Sequence, residues 1–334
     1  MKFINCGGSK NNMRLKILTT NHHSSYLYLL SHTGHEFHVI DYEGWGKIQQ
    51  RPVPSNVILY PSNIYVNMCD FDCVIGHKPF HDLMTFGIRA MMRKVPYIQV
   101  IHGWRQRTGY RRSLLRRFLK AVYGTTILAI ASRSLLFHLV FISDMARASW
   151  GLPGSVIYPG IPIKEFKKYA GTDKRLLIVG NNLHREHFDF EALMFTAKNL
   201  PIRIIGVNPK IPGSEIVSSW DALKEAYSRC RAYLNLTRIP EDGYNLATLE
   251  AMATGMPVLT LRHPTSLIVD RCNGLVANDR FELVAKGRWL LQDHDLARAL
   301  GLNALRTVEE RFNIERFVND WNRLLFNVVW GERG

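Results

Sequence analysis

The sequence predicts an α/β protein of two Rossmann-like domains, and three observations carry that prediction. Short apolar or β-branched runs alternate with helical patterns, the alternation begins afresh near Arg175, and a Pro- and Gly-rich segment separates the two series. In the first series the strand candidates are Leu15–Thr20, Phe37–Ile40, Cys73–Ile75, Tyr97–Ile101 and Leu139–Ser143. In the second they are Arg175–Gly180, Ile202–Val207, Ala232–Leu236, Met256–Leu261 and Leu275–Ala277. Helices lie between them, so each series reads as a parallel sheet of strand-helix-strand units. The segment Val156-Ile157-Tyr158-Pro159-Gly160-Ile161-Pro162 is the natural linker. The expected divisions are 1–160, 161–313 and a C-terminal helix within 314–334 that packs back towards the first domain. From Ile314 to Val329, Phe317, Trp321, Leu324, Leu325 and Val328 fall on one helical face, which reads as core packing.

Composition fits two folded domains. The chain has 334 residues, 46% apolar and 21% charged, enough for two cores and too apolar for disorder. Its five cysteines are scattered, as in reduced cytosolic enzymes, and Cys69 and Cys73 lack a second pair at ligand spacing, so no structural zinc is expected. The N-terminus has no apolar run of signal-peptide length. Met13-Arg14-Leu15-Lys16-Ile17-Leu18 opens like a second chain start, so the first twelve residues read as a disordered leader or a misassigned start. The greasy stretch from Ala121 to Ile142 is broken by Gly124, Ser132, Arg133 and His138, which suits buried helix plus strand better than a bilayer span. Net charge is +15, and the first 160 residues hold 19 Lys+Arg against 7 Asp+Glu, so the basic field belongs to the first half.

The chemistry concentrates between Pro240 and Val258, in PEDGYNLATLEAMATGMPV. A loop containing Gly243 leads into a helix starting near Leu246, so free backbone N–H groups and the positive helix end can face a diphosphate. Glu250, about two turns later, can accept hydrogen bonds from a ribose diol, and Asp242 can reach sugar hydroxyls.

This segment resembles the donor-site signature of family 4 retaining glycosyltransferases, which have the GT-B fold of two Rossmann-like domains with a deep interdomain cleft. In that family two glutamates stand eight positions apart; here Asp242 and Glu250 take those places. Further matches run in family order along nearly the whole chain: Gly34-His35-Glu36-Phe37-His38-Val39, Phe71 to His77, Ile101-His102-Gly103, Tyr158-Pro159-Gly160-Ile161 and Asn273-Gly274-Leu275-Val276. The resemblance implies a metal-independent, retaining transfer from a nucleotide-diphosphate sugar, with no cofactor. Donor contacts would come from Gly243, Tyr244, Asn245, Leu246, Ala247 and Glu250, and Asp242 and His102 would act at the reacting sugar. A neutral His102 could orient a hydroxyl or steady charge at the anomeric carbon.

Four features depart from the family. Asp242 is one methylene shorter than glutamate, and Asn245 replaces a glycine, although Asn is a favoured helix cap. The arginine and lysine usually offered to the diphosphate are Asn181 and His187, leaving Arg185 as the nearest permanent cation, with His184 or His187 assisting. The glycine-rich first loop is Asn21-His22-His23-Ser24-Ser25.

Other motifs point elsewhere. Asp70-Phe71-Asp72 spells a metal-binding pattern but directly precedes an apolar strand, and the remaining histidines form no metal pair at ligand spacing. A nucleic-acid-binding protein is an alternative on the basic pI, though no zinc finger, RRM or KH pattern is present; a catalytically inactive scaffold is another. Arg112, Arg116, Arg117 and Lys120 recur at helical spacing among apolar residues, which reads as a basic amphipathic helix for an anionic membrane surface or an anionic glycan. The expected partners are therefore a nucleotide-sugar donor, a lipid-linked or anionic glycan acceptor and the inner face of the cell membrane, in glycan or glycolipid synthesis.

Overall fold

A computed structural model describes residues 14–45, 51–104, 126–238 and 244–331. Two sheets, parallel throughout, are built from the two series of strands. The first contains β1 (Lys16–Asn21), β2 (Glu36–Asp41), β3 (Val57–Pro61), β4 (Cys73–Gly76), β5 (Tyr97–Ile101), β6 (Phe137–Phe141) and β7 (Ser155–Val156), in the order β3-β2-β1-β4-β5-β6-β7. The second contains β8 (Asp173–Val179), β9 (Ile202–Ile205), β10 (Ser214–Glu215), β11 (Cys230–Asn235), β12 (Val258–Leu261) and β13 (Gly274–Ala277), in the order β10-β9-β8-β11-β12-β13. Strand order reverses between β1 and β4 and between β8 and β11. In such doubly wound sheets ligands bind beyond the C-terminal strand ends at the reversal.

All ten strand candidates fall on strands, because the inner strands are buried on both faces and therefore read as continuous apolar runs. The three strands not anticipated are peripheral. β3 exposes Ile58 and Leu59, and β7 and β10 are two residues each.

The helices are α1 (Ser24–Ser31), α2 (Ile88–Met92), α3 (Asp144–Trp150), α4 (Phe190–Asn199), α5 (Trp220–Arg229), α6 (Leu246–Thr254), α7 (Arg280–Gln292), α8 (His294–Arg311) and α9 (Ile314–Trp330). Asp189, Ser219, Asn245, Asp279, Asp293 and Asn313 each accept a backbone N–H in the first turn of the helix they open. Each such cap contributes about 1 kcal/mol. No helix among the described residues is long and apolar enough to cross a membrane.

The chain crosses between the sheets twice, at neighbouring places. Ile161 N–H donates to the Phe312 carbonyl at 2.7 Å, and Arg316 donates to the carbonyls of Tyr158 and Pro159 at 2.8 Å each. Beyond that point α9 buries Phe317, Trp321 and Leu325 in the core of the first sheet with Ile17, Val39, Ile98 and Val140, and Leu324 and Val328 flank them. Gly160 makes the close approach possible: a Cβ there would stand 2.3 Å from Phe317 Cβ.

Candidate active site

Histidines gather at the C-terminal ends of β1, β4 and β5. His22 and His23 follow β1, His77 follows β4 and His102 follows β5. His77 Nδ1 lies 2.9 Å from His102 Nε2, so one ring donates and the other accepts, and His77 Nε2 meets the Thr19 hydroxyl at 3.1 Å. The His102 ring also packs 4.2 Å from His23 and 4.8 Å, edge-on, from Tyr26. Burial and the neighbouring imidazoles push His102 well below the ordinary histidine range. Burial likewise lowers His23 to about 4 and His77 to about 3. His23, His77 and His102 are therefore neutral at pH 7, able to orient hydroxyls without adding charge. The cluster lines a cavity of about 380 Å³ together with Trp104 and Trp150.

Asp82, with no exposed surface, ties these loops together at the strand-order reversal. Its Oδ2 accepts from the Thr20 hydroxyl at 2.7 Å and from the backbone N–H groups of His77 and Lys78 at 2.8 and 2.9 Å. Its Oδ1 meets His81 Nδ1 at 2.9 Å and His22 Nε2 at 3.4 Å. Burial alone would raise the Asp82 carboxyl; the His22 and His81 imidazoles, the Lys78 N–H and the Thr20 hydroxyl outweigh it and hold it well below the carboxylate range. Among the described residues, His22, His81 and Asp82 are the group whose ligand atoms converge within 4.8 Å as a metal site requires. Nothing in the sequence announced it, because residue 22 meets residues 81 and 82 only through the pairing of β1 with β4. Asp70 and Asp72 stand at the opposite, N-terminal edge: Asp72 accepts from Lys16 N–H at 2.7 Å, and Asp70 from the Asn67 amide at 3.1 Å.

On the second sheet, α6 begins where the donor motif places it. Asn245 caps the helix by accepting from Thr248 N–H at 2.8 Å, and its amide donates to Asn235 at 3.2 Å and Thr237 at 2.9 Å, locking the helix start to the end of β11. Gly255 ends the helix at φ +87°, a conformation open to glycine. Tyr244 packs between Tyr158 and Phe312, and Leu246 is packed against the cores of both sheets. Ala247 is partly buried. Asp242 and Gly243 lie outside the described residues. So do Arg112, Arg116, Arg117 and Lys120.

Arg185 is exposed in the turn after β8. Asn181, at the usual arginine position, accepts from Val207 N–H at 2.7 Å and so joins the loops after β8 and β9.

Glu250 is not an open carboxylate. It is buried, its Oε2 accepts from the Tyr227 hydroxyl at 3.0 Å, and its Oε1 is ion-paired with Arg51, which arrives from the other sheet. The Arg51 guanidinium sits 4.0 Å over the Trp220 ring and 5.1 Å over the Tyr28 ring. Burial pushes the Glu250 carboxyl above its usual range against the pull of Arg51, and burial with the Glu250 charge holds the Tyr227 phenol high. A ribose contact at Glu250 therefore requires exchange with Arg51. Arg51 carries no sequence signal of such a role, being one arginine in the connection between β2 and β3.

Residues 185–323 match a family described as glycosyl transferase-like. No curated protein matches the chain. Solved structures match it over nearly its full length. Alr3699/HepE from Anabaena, in complex with UDP and glucose, is 12% identical, with a TM-score of 0.71 over 93% of this chain and 99% of that one. Sucrose-phosphate synthase from Thermosynechococcus elongatus is 14% identical, with a TM-score of 0.69 over 96% of this chain and 100% of that one. WaaG, a glycosyltransferase of lipopolysaccharide biosynthesis, is 13% identical, with a TM-score of 0.63 over 95% and 100%. The fold is GT-B, and the family match and the neighbours point to a glycosyltransferase.

Proposed function

We propose that this chain transfers a sugar from a nucleotide-diphosphate sugar to a lipid-linked or anionic glycan acceptor, with retention at the anomeric carbon and no metal at the donor diphosphate. One observation carries the reading: the capped N-terminus of α6 stands at the C-terminal end of its sheet, beside the strand-order reversal, with Glu250 one turn inside it. Free N–H groups of the first turn receive the diphosphate, Arg185 adds a cation, and Asp242 holds hydroxyls of the sugar. Withdrawal of Arg51 as the cleft opens frees Glu250 for the ribose. The acceptor enters over the neutral histidines, where His102 steadies the reacting centre, and the departing diphosphate takes the acceptor proton. Closure of the cleft dries the site.

UDP-glucose is the first donor to try, since the Anabaena neighbour holds UDP and glucose. Thermal shift with a panel of UDP-, GDP- and ADP-sugars should single out one nucleotide, with the shift unchanged by EDTA. Release of nucleoside diphosphate on adding acceptor then separates an enzyme from an inactive scaffold, a second reading favoured by the engagement of Asn181 and Glu250 with protein partners. A chain that shifts with no nucleotide sugar would defeat the donor site.

A further inference from the structure

The transfer reaction leaves unused one convergence of lone pairs on the acceptor side. One ligand atom from each of His22, His81 and Asp82 lies within 4.8 Å of the others, and His81 Nδ1 and His22 Nε2 stand 2.9 and 3.4 Å from Asp82 Oδ1. Four ligands at about 2.0–2.1 Å around a tetrahedral ion stand about 3.3 Å apart, so the two nitrogen-to-oxygen separations bracket that spacing. Asp82 Oδ2 is already saturated by three donors, which leaves Oδ1 as the oxygen facing the imidazoles.

His22 supplies the independent observation. Its side chain is 10% exposed, and its buried Nε2 has only the long, 3.4 Å approach to Asp82 Oδ1, which falls short of a well-formed hydrogen bond. A buried nitrogen so poorly satisfied is stabilised by an ion that takes its lone pair. The ring is held for that purpose: it stacks on Tyr42 at 5.1 Å and 5°, and meets His81 edge-on at 5.6 Å. Its other nitrogen, Nδ1, faces Glu43 Oε1 at 4.0 Å, the outer carboxylate that metal-bound histidines commonly carry.

We propose that His22, His81 and Asp82 bind a divalent transition-metal ion, with Zn²⁺ the best fit to two imidazoles and one carboxylate, leaving a fourth position for water. The ion clamps the loop after β1 to the loop after β4, and because His22 and Glu43 also line the histidine cavity it forms part of that wall. The proposal does not depend on the transfer reading.

The test uses the full chain without a histidine tag, stripped with chelator, then titrated with Zn²⁺ by calorimetry and with Co²⁺ by visible absorption. Wild type should bind one equivalent and give the intense absorption of tetrahedral Co²⁺. His22→Ala and His81→Ala should each weaken binding by more than about 100-fold, and Glu43→Gln by about 10- to 100-fold. His81 is 38% exposed, so its variant should fold, and circular dichroism checks this. Absence of a stoichiometric site in wild type, or undiminished binding by folded His81→Ala, overturns the proposal.

Discussion

Glu250 has partners from both sheets, and a donor can reach it only by changing that arrangement. A carboxylate that accepts from a ribose diol makes charge-assisted hydrogen bonds, so Glu250→Ala should weaken nucleotide-sugar binding by about 1.5–3 kcal/mol in calorimetry. It also takes the carboxylate away from the buried Arg51 guanidinium, so the fold must be verified first. Arg51→Ala makes the opposite prediction. If the guanidinium occupies the ribose position, its removal abolishes a competing state and donor affinity rises several-fold, whereas unchanged affinity would mean that Arg51 stays in place when donor binds. His102 predicts a pH effect. Its folded value is depressed by burial, so the folded state resists protonation, and the stability it contributes is full above the unfolded value of about 6.5 and lost as pH falls. The melting temperature should therefore drop between about pH 7 and 5, and His102→Gln should make that slope shallower while His23 and His77 keep part of it. An identical slope in the variant would place the titration elsewhere.

At the level of elements, α9 joins the end of the chain to the first sheet, and the contact is demanding at both ends. Trp321 is fully buried and its Nε1 donates to the Tyr26 hydroxyl at 3.3 Å, so Trp321→Ala should cost about 3–5 kcal/mol in denaturant unfolding. At Gly160 an added methyl meets Phe317 beside backbone pinned by Arg316, and Gly160→Ala should cost about 1–3 kcal/mol. Either variant should expose the C-terminal helix to protease earlier than the rest of the chain. Elements of this kind were legible in the sequence because burial writes itself into local pattern: β4 and β5 are largely apolar, β1 and β11 are short runs of apolar and β-branched residues among a few polar ones, and the buried residues of α9 recur at helical spacing. The start of α6 was legible for a similar reason, since Asn245 caps through a local bond to Thr248. What could not be read is what long-range pairing creates. Arg51 and Glu250 are 199 residues apart, and Thr20 and Asp82 are 62 apart, and no local pattern links them.

The molecule as a whole carries a charge of +15, concentrated so that no acidic residue occurs between Asp82 and Asp144. Within that block the π-helical turn Leu83–Gly87 and α2 after it turn a mixed face outward: Met84, Ile88 and Met92 are exposed at four-residue spacing near exposed Arg89, Arg93 and Lys94. Ala90 on its inner side shares a core with Leu128, and exposed Ile130, Arg133 and Leu135 follow that residue. Apolar side chains set among cations suit the headgroup region of an anionic leaflet better than open water. Arg112, Arg116, Arg117 and Lys120 fall in the same block, outside the described residues. Each basic residue near such a surface contributes about 1 kcal/mol, so a handful would suffice for peripheral attachment without a spanning helix. The chain should therefore sediment with vesicles containing anionic phosphatidylserine, lose that binding as salt rises, and ignore neutral phosphatidylcholine vesicles. Replacing Arg112, Arg116 and Arg117 together with Ser should release it, and Met92→Ser should weaken binding further, while the thermal shift with donor is unchanged. Equal binding to both kinds of vesicle would defeat the membrane reading, and retention of an anionic glycan by the same residues would assign the charge to the acceptor instead.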